Sequence, residues 1–311
     1  MGKVAFLFPG QGSQYVGMGK DLYEAFSEAR KIYDQAETIL GFPIKQISFE
    51  GPEEILKQTQ YTQPAIFVHS IVVNRLLQER GINPEGAAGH SLGEYSALVC
   101  AGALNFEDAL QLVKIRGELM QHSGEKNPGT MAAILGATPE QVEAICKEAS
   151  TVGVVQPANF NAPGQIVISG SVDGVHRAME LVKERGIGKV RELVVSGAFH
   201  SPLMKDALAG LEEALDNVAI QPAQFPIYSN VEARPVQDPD RIRQLLKQQL
   251  MSPVQWVNII ENMTADGYTE FYEVGPGKVL QGLQKRIRRD FPCQAVGSVE
   301  ALQAITVEST V

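Results

Sequence analysis

A serine between two glycines is the clearest chemical signal in this sequence. The stretch Gly89-His90-Ser91-Leu92-Gly93 has the Gly-x-Ser-x-Gly pattern, typical of a tight strand-to-helix turn that exposes one serine hydroxyl. Small residues precede it and good helix formers follow it, so Ser91 is expected at a helix N-terminus. Unpaired amides and the helix dipole favour a developing anion there. We therefore interpret Ser91 as a nucleophile, with a purely structural turn as the alternative.

A serine nucleophile needs a base within hydrogen-bond reach, most often a histidine. Among five histidines, His200 follows a predicted strand over residues 190–195 and precedes Ser201-Pro202, a typical helix start. Open α/β sheets place their sites at the carboxyl ends of strands, which favours His200 as the base over a capping or packing role. No acid between Ser91 and His200 lies in a convincing loop, so we expect a neutral acceptor to orient His200.

Arg116 is expected on the apolar face of its helix, beside Leu112, Val113 and Met120. A guanidinium that faces the core needs an anion or a full set of acceptors. A structural ion pair would satisfy it. The functional interpretation is a bidentate clamp for a substrate carboxylate, which suits arginine better than lysine.

A glycine-rich loop, Pro9-Gly10-Gln11-Gly12-Ser13-Gln14, follows the first predicted strand. Its spacing matches neither the dinucleotide-binding pattern nor the phosphate-binding loop. It could instead supply backbone amides to an oxyanion.

The predicted elements that must position these residues fall into two lobes. Strands and helices alternate up to residue 122 in a way typical of a parallel α/β core, with a strand over 4–8 and helices over 21–40, 63–80, 92–101 and 105–122. A turn-rich stretch, 124–129, favours a lobe boundary. The next segment predicts the order β-α-β-β-α-β of a ferredoxin-like unit, with strands over 131–135, 152–157, 165–169 and 190–195. The predicted domains are 1–126 with 197–311, and 127–196.

Composition excludes several classes of protein. A net charge of −9 argues against a nucleic-acid binder, and three cysteines without paired spacing indicate neither a disulfide framework nor a zinc site. No apolar run reaches membrane-spanning length, and the first apolar run is too short for a signal peptide. We therefore expect a cytoplasmic protein without a bound metal.

Taken together, the motifs resemble the malonyl-CoA:acyl carrier protein transacylases of bacterial type II fatty acid synthesis, from residue 4 to about residue 300. The motifs that carry the resemblance are Phe8-Pro9-Gly10-Gln11-Gly12-Ser13-Gln14, Gly89-His90-Ser91-Leu92-Gly93-Glu94, Arg116, Gly197-Ala198-Phe199-His200-Ser201 and Val274-Gly275-Pro276-Gly277-Lys278-Val279-Leu280. The resemblance implies a hydrolase-like α/β core with an inserted ferredoxin-like lobe. It also implies malonyl-CoA and an acyl carrier protein as partners, with no separate cofactor, and we expect a monomer.

The resemblance further implies a role for each matching residue. Ser91 would attack the malonyl thioester, His200 would act as base and then acid, and the amides of Gln11 and Leu92 would form the oxyanion hole. Arg116 would hold the malonyl carboxylate. The remaining implied site residues are Gln249, or its neighbour Gln248, whose carbonyl would accept the second His200 proton, Gln63 and Asn161 in the pocket, and Phe199, a bulky residue typical of malonyl-selective members.

Three other functions remain open on the sequence alone. They are a serine esterase or thioesterase, a non-catalytic docking module for carrier protein, and a polyketide acyltransferase with another extender unit. The densest basic cluster is a candidate docking site for the carrier protein, although cations at a helix C-terminus also complement the dipole. This cluster consists of Lys285, Arg286, Arg288 and Arg289.

Overall fold

Apolar strands form a six-stranded sheet at the centre of the larger lobe in the computed structural model, which describes residues 2–305. The strands are β1 (Lys3–Phe8), β2 (Gly86–Gly89), β7 (Ile227–Tyr228), β8 (Pro235–Val236), β9 (Tyr268–Val274) and β10 (Cys293–Val296). Their order is β10-β9-β1-β2-β7-β8, and every neighbouring pair is parallel except β7–β8. The ends of β1 and β2 therefore meet at one edge of the sheet, where the glycine-rich loop and Ser91 follow them.

Helices cover both faces of this sheet. They are α1 (Lys20–Ala25), α2 (Ser27–Leu40), α3 (Ile44–Phe49), α4 (Glu53–Leu56), α5 (Thr59–Glu79), α6 (Gly93–Cys100), α7 (Phe106–Lys126), α10 (Lys205–Asp216), α11 (Pro239–Gln249), α12 (Trp256–Ala265), α13 (Val279–Ile287) and α14 (Val299–Ala304). Most residues of α5 are buried, and α5 packs against α7 in the main core. Among residues 2–305, no helix is both long and apolar enough to cross a lipid bilayer.

The smaller lobe has the predicted β-α-β-β-α-β order. Its elements are β3 (Gly129–Leu135), α8 (Pro139–Ala149), β4 (Val155–Ala162), β5 (Gln165–Ser171), α9 (Val172–Glu184) and β6 (Lys189–Glu192). The strands form an antiparallel sheet in the order β4-β5-β3-β6. Because side chains alternate along a strand, Ile166 and Ile168 pack with α8 and α9 in a separate core, whereas Val167 faces the large lobe.

Several predicted boundaries are wrong. The helix predicted over 21–40 is two helices, since Phe26 adopts an extended conformation between α1 and α2. The helix predicted over 105–122 continues to Lys126, so the expected turn at 124 is the last turn of α7. Gly124 is required there by packing, because a Cβ would lie 2.1 Å from the Ser196 carbonyl oxygen.

The strand predicted over 190–195 ends at Glu192, and the strand predicted over 152–157 runs from Val155 to Ala162. Six short elements, namely α3, α4, α14, β7, β8 and β10, leave no readable pattern in the sequence. Each has two to six residues, too few to show a period in the sequence. Residues 1 and 306–311 of the predicted large domain lie outside the described residues.

Candidate active site

Ser91 lies in the turn between β2 and α6 with a φ of 51°, a left-handed conformation that non-glycine residues rarely adopt. Both flanking glycines are sterically required. A Cβ on Gly89 would lie 1.8 Å from the Gly93 carbonyl carbon, and one on Gly93 would lie 2.1 Å from the Phe8 oxygen. The strained turn is held by Asn230, whose Oδ1 accepts a hydrogen bond from the Ser91 amide at 2.7 Å.

The structure brings His200 to the Ser91 hydroxyl, with 2.8 Å between Oγ and Nε2. On the other side of the ring, Nδ1 lies 2.9 Å from the backbone oxygen of Gln249 and 3.1 Å from that of Ser252. Because both are acceptors, Nδ1 must carry the proton, which leaves Nε2 free to accept the serine proton. Two backbone carbonyls thus occupy the place of the missing acid.

The two glutamines named as alternatives lie in different surroundings. Gln249 is 1% exposed and supplies the carbonyl that orients His200, whereas Gln248 is on the exposed side of α11. The side chain of Gln249 also bonds to Arg116, so Gln249 contacts the site through both its backbone and its amide.

His200 lies beside Ser91, but it does not follow a strand of the parallel sheet, contrary to what the sequence predicts. The preceding strand is an edge strand of the small antiparallel sheet, not a strand of the parallel sheet. His200 is held instead by a turn with a φ of 56° and by Gln156, whose Nε2 donates to the His200 carbonyl at 2.8 Å. The Ser201 hydroxyl closes this turn by donating to the Ala198 carbonyl.

Burial lowers the pKa of His200 to about 3, and the positive charge of Arg116 acts in the same direction. The imidazole is therefore neutral at physiological pH. A neutral imidazole with its proton on Nδ1 can act as a general base toward the Ser91 hydroxyl.

Arg116 extends from α7 into the site and is 1% exposed. Its Nη1 donates to Gln63 Oε1 at 2.6 Å, and its Nη2 donates to Ser91 Oγ at 3.1 Å and to Gln249 Oε1 at 3.0 Å. All these acceptors are neutral oxygens, so among residues 2–305 the guanidinium has no carboxylate in contact. The structural ion pair that the sequence left open is therefore absent there, and an acyl group on Ser91 would lie within reach of a buried cation.

A cavity of about 190 Å³ opens onto these groups. Gln63 and Phe199 line it, as does Asn161, whose Oδ1 lies 2.8 Å from His90 Nε2. The other lining residues include Gln11, Ser13, Leu92, Met120, Met131, Val167, Leu193, Val195, Val279 and Leu280. The cavity therefore lies between the two lobes, with a polar end at Ser91 and apolar walls.

Gln11 and Leu92 both line this cavity. Within residues 2–305, neither backbone amide donates a hydrogen bond. The Gln11 side chain is fixed by the Thr59 hydroxyl, which donates to Gln11 Oε1 at 2.7 Å. Two residues of the cavity lining therefore have backbone amides that donate no hydrogen bond within the described residues.

The basic cluster at the end of α13 is only partly free. Arg286 donates to the Gln165 side chain and to the Pro163 carbonyl of the small lobe, and Arg288 pairs with Asp290 at 2.7 Å. Lys285 and Arg289 are exposed. Gln165 lines the cavity, so the cluster adjoins its rim.

Sequence reasoning missed several residues that hold the site together: Thr59, Glu94, Gln156, Asn230 and Ser252. Their contacts with the site are long-range or pass through the backbone, which no local pattern reveals. Glu94 alone had a local signal, because it directly follows the Gly-x-Ser-x-Gly pattern in the first turn of α6.

Known proteins share both the sequence and this architecture. The family model of the acyl transferase domain matches residues 5–303. The malonyl CoA-acyl carrier protein transacylase of Bacillus subtilis is 46% identical over 304 residues, covering 97% of this chain and 96% of that protein. The chain belongs to the malonyl-CoA:acyl carrier protein transacylase family. The resemblance inferred from the motifs is confirmed, and the chain is an acyltransferase.

Solved structures of this transacylase family match the fold closely. The malonyl-CoA:acyl carrier protein transacylase of Xanthomonas oryzae has a TM-score of 0.94 at 43% identity and covers 97% of each chain. A malonyl transacylase solved in complex with the acyl carrier protein of a type II polyketide synthase has a TM-score of 0.94 at 40% identity, covering 97% of this chain and 98% of that chain. The α/β architecture with a second antiparallel sheet is therefore that of the transacylase family.

Proposed function

We propose that this acyltransferase moves malonyl from malonyl-CoA to the phosphopantetheine thiol of an acyl carrier protein, through a malonyl ester on Ser91. The observation that carries the proposal is the buried Arg116 guanidinium, 3.1 Å from the Ser91 hydroxyl and bonded only to neutral oxygens among residues 2–305. Its charge suits an acyl group that carries its own carboxylate. The names of the relatives agree with this substrate.

In the first half-reaction, the Ser91 oxygen attacks the thioester carbonyl while its proton passes to His200 Nε2. The oxyanion of the tetrahedral intermediate would accept hydrogen bonds from the Gln11 and Leu92 amides, which stabilise it. The carbon–sulfur bond then breaks, and the CoA thiolate takes the proton from His200. In the second half-reaction, the carrier-protein thiol gives its proton to His200 and attacks the ester, and the Ser91 oxygen recovers the proton as it leaves.

We also propose the finer description of the fold. The serine turn at the end of a central parallel strand supports a hydrolase-like core, and the strand order β4-β5-β3-β6 supports a ferredoxin-like small lobe. The proposed domains are 1–126 with 197–311, and 127–196. A cavity between them lets the small lobe contribute a wall to the site without supplying the nucleophile.

We propose that the chain acts as a cytoplasmic monomer and that its side chains and the CoA thioester supply the chemistry without a further cofactor or metal. The three cysteines are unpaired and buried, which agrees with a reducing compartment. The net charge of −9 agrees with a partner other than a nucleic acid.

The function is tested by intact-mass analysis after separate incubation with malonyl-CoA, acetyl-CoA and methylmalonyl-CoA. We expect a malonyl adduct that holo carrier protein removes faster than water does. Faster loss to water would indicate a thioesterase. Equal or faster labelling by methylmalonyl-CoA would indicate another extender unit, against the crowding expected from Phe199.

We further propose that the basic cluster at the end of α13 receives the carrier protein through an acidic surface of that partner. Because Arg286 also bonds to the small lobe, Lys285 is the cleaner position to test. Lys285→Glu is expected to slow malonyl transfer to carrier protein by about two- to tenfold at low salt, since exposed charges steer association. Added salt should shrink the defect because it screens exposed charges.

Stopped-flow or quench measurements of carrier-protein acylation check this prediction, with self-acylation from malonyl-CoA expected to stay unchanged. Lys147→Glu is the matched control, since Lys147 is exposed on α8, behind the small sheet. Unchanged transfer by Lys285→Glu at low salt would exclude this cluster as the docking site.

A further inference from the structure

A buried carboxylate that the proposed reaction does not use lies directly behind the site. Glu94, in the first turn of α6, is 3% exposed. Its Oε2 accepts hydrogen bonds from Gln249 Nε2 at 2.6 Å and from the Asn230 amide at 3.3 Å. Both donors are neutral. A buried charge without a cation in contact is costly, so its presence calls for a physical reason.

The first contact of Glu94 determines how the Gln249 amide is oriented. Gln249 Nε2 donates to Glu94 and, at 2.9 Å, to the Ser91 carbonyl oxygen, while Gln249 Oε1 accepts from Arg116 at 3.0 Å. An amide has donors at one end and an acceptor at the other. Two acceptors at the Nε2 end therefore turn Oε1 toward Arg116. The reversed amide would place its NH₂ against the guanidinium.

The second contact of Glu94 is with Asn230, the residue that bonds to the Ser91 amide. The Asn230 backbone amide donates to Glu94, and the Asn230 side chain accepts from the Ser91 amide and donates to the Gly89 carbonyl at 2.6 Å. One carboxylate oxygen thus contacts both residues that hold the serine turn and the Arg116 guanidinium in place.

We propose that Glu94 is a positioning residue for malonyl transfer, whose carboxylate orients the Gln249 amide and thereby holds Arg116 where the malonyl carboxylate binds. This inference rests on the proposed function. It extends that function by assigning the orientation of the clamp to a residue that does not touch substrate. The Asn230 contact needs only an acceptor oxygen for a backbone amide, which a glutamine at position 94 also has. The loss in Glu94→Gln should therefore fall mainly on substrates that use Arg116.

The ionisation of Glu94 gives this role a pH signature. Burial raises the pKa of Glu94 to about 7, although its hydrogen bonds and the charge of Arg116 oppose the shift. The other titratable groups near it do not change charge at neutral pH, because burial raises the pKa of Tyr95 to about 12 and lowers that of His200 to about 3. Protonation removes the charge of Glu94 and weakens the hydrogen bonds that its Oε2 accepts, so the Gln249 amide would be held less firmly. Malonyl transfer should therefore fall as the pH decreases through about 7.

The test compares Glu94→Gln with the wild type in self-acylation from malonyl-CoA and from acetyl-CoA. Glutamine keeps the shape but can bond to Gln249 in either orientation. We expect a malonyl rate about ten- to one-hundredfold lower and an acetyl rate changed by less than about threefold, as for one lost hydrogen bond to a charged group. The malonyl pH dependence near 7 should also disappear. Glu94→Asp, which keeps the charge, should recover part of the rate, and Glu118→Gln on the exposed side of α7 should match the wild type.

A thermal melt separates this role from a structural one. Because folding raises the pKa of Glu94 above its usual 4.5, its contribution to stability is full below about pH 4.5 and is lost as the pH rises through about 7. Glu94→Gln should therefore melt no lower than the wild type at pH 8, even though its malonyl rate is lower.

Each other outcome has a distinct meaning. A wild type that malonyl-CoA does not acylate would overturn the proposed function itself. A wild type that is acylated, beside a Glu94→Gln variant with an unchanged malonyl rate, would overturn only the role of Glu94. So would an equal loss with both thioesters. The pH profile of the wild type requires no variant, and a profile that is flat through pH 7 would count equally against the proposal.

Discussion

Replacing Ser91 with alanine is expected to abolish the malonyl adduct and to lower transfer by about 10⁴-fold or more, as for loss of other serine nucleophiles. The reason is geometric. Ser91 Oγ is the oxygen that lies 2.8 Å from the imidazole of His200 and 3.1 Å from the guanidinium of Arg116. Intact-mass analysis after incubation with malonyl-CoA measures the adduct directly.

Ser13→Ala provides a matched control for this experiment. Ser13 lines the same cavity and is 5% exposed, but it lies in the glycine-rich loop. The Ser13→Ala protein should still be acylated on Ser91. A Ser91→Ala protein that gained the malonyl mass would show that the nucleophile is misassigned.

Arg116→Ala is expected to lower malonyl transfer far more than acetyl transfer, because only malonyl carries a second carboxylate. The charged pair would be Arg116 and the malonyl carboxylate, and truncating one partner of such a buried pair weakens binding by about 2–5 kcal/mol. The hydrogen-bond partners that Arg116 leaves behind are neutral side-chain oxygens of Gln63, Ser91 and Gln249, so no carboxylate loses a direct hydrogen bond. The measurement is the ratio of kcat/KM for malonyl-CoA to that for acetyl-CoA.

Lys114→Ala is the control for the Arg116 experiment, since it removes a cation from the same helix outside the cavity. It should leave the ratio unchanged. An equal loss of malonyl and acetyl transfer in a folded Arg116→Ala protein would mean that Arg116 only supports the structure.

The sequence indicates Ser91 and Arg116 by two different local patterns. Ser91 could be predicted from the sequence because the turn around it has no room for a Cβ on either side, which requires a glycine at both positions. Arg116 could be predicted from the sequence because a charged residue on the apolar face of a helix must be buried, and its side chain is indeed 1% exposed. The contacts of the guanidinium with Gln63 and Gln249 could not be predicted, since these residues lie on two other helices, α5 and α11.

The capping box of α8 is a structural feature that residues close together in the sequence determine. The Thr138 side chain accepts from the Gln141 amide, and the Gln141 side chain accepts from the Thr138 amide, a pairing typical of the Thr-x-x-Gln pattern at a helix start. The end of α7 shows where such local patterns fail. Gly124 resembles a turn signal, yet it lies in the helix because the neighbouring backbone of Ser196 leaves room only for glycine.

The sequence by itself determined the features whose cause is local. These are the strained serine turn, the buried face that carries Arg116, the alternation of strands and helices and the family of the chain. Steric exclusion, helical period and capping act over a few residues, so they leave a readable pattern.

Only the tertiary structure decided how the base is oriented and how the charges are arranged. The acceptors for His200 are main-chain oxygens of Gln249 and Ser252, and every residue has such an oxygen, so no side-chain pattern could single them out. Glu94 meets Gln249 across 155 positions of sequence. Contacts of this kind form only when the lobes and helices pack, because burial brings distant polar groups together and requires each to find a partner.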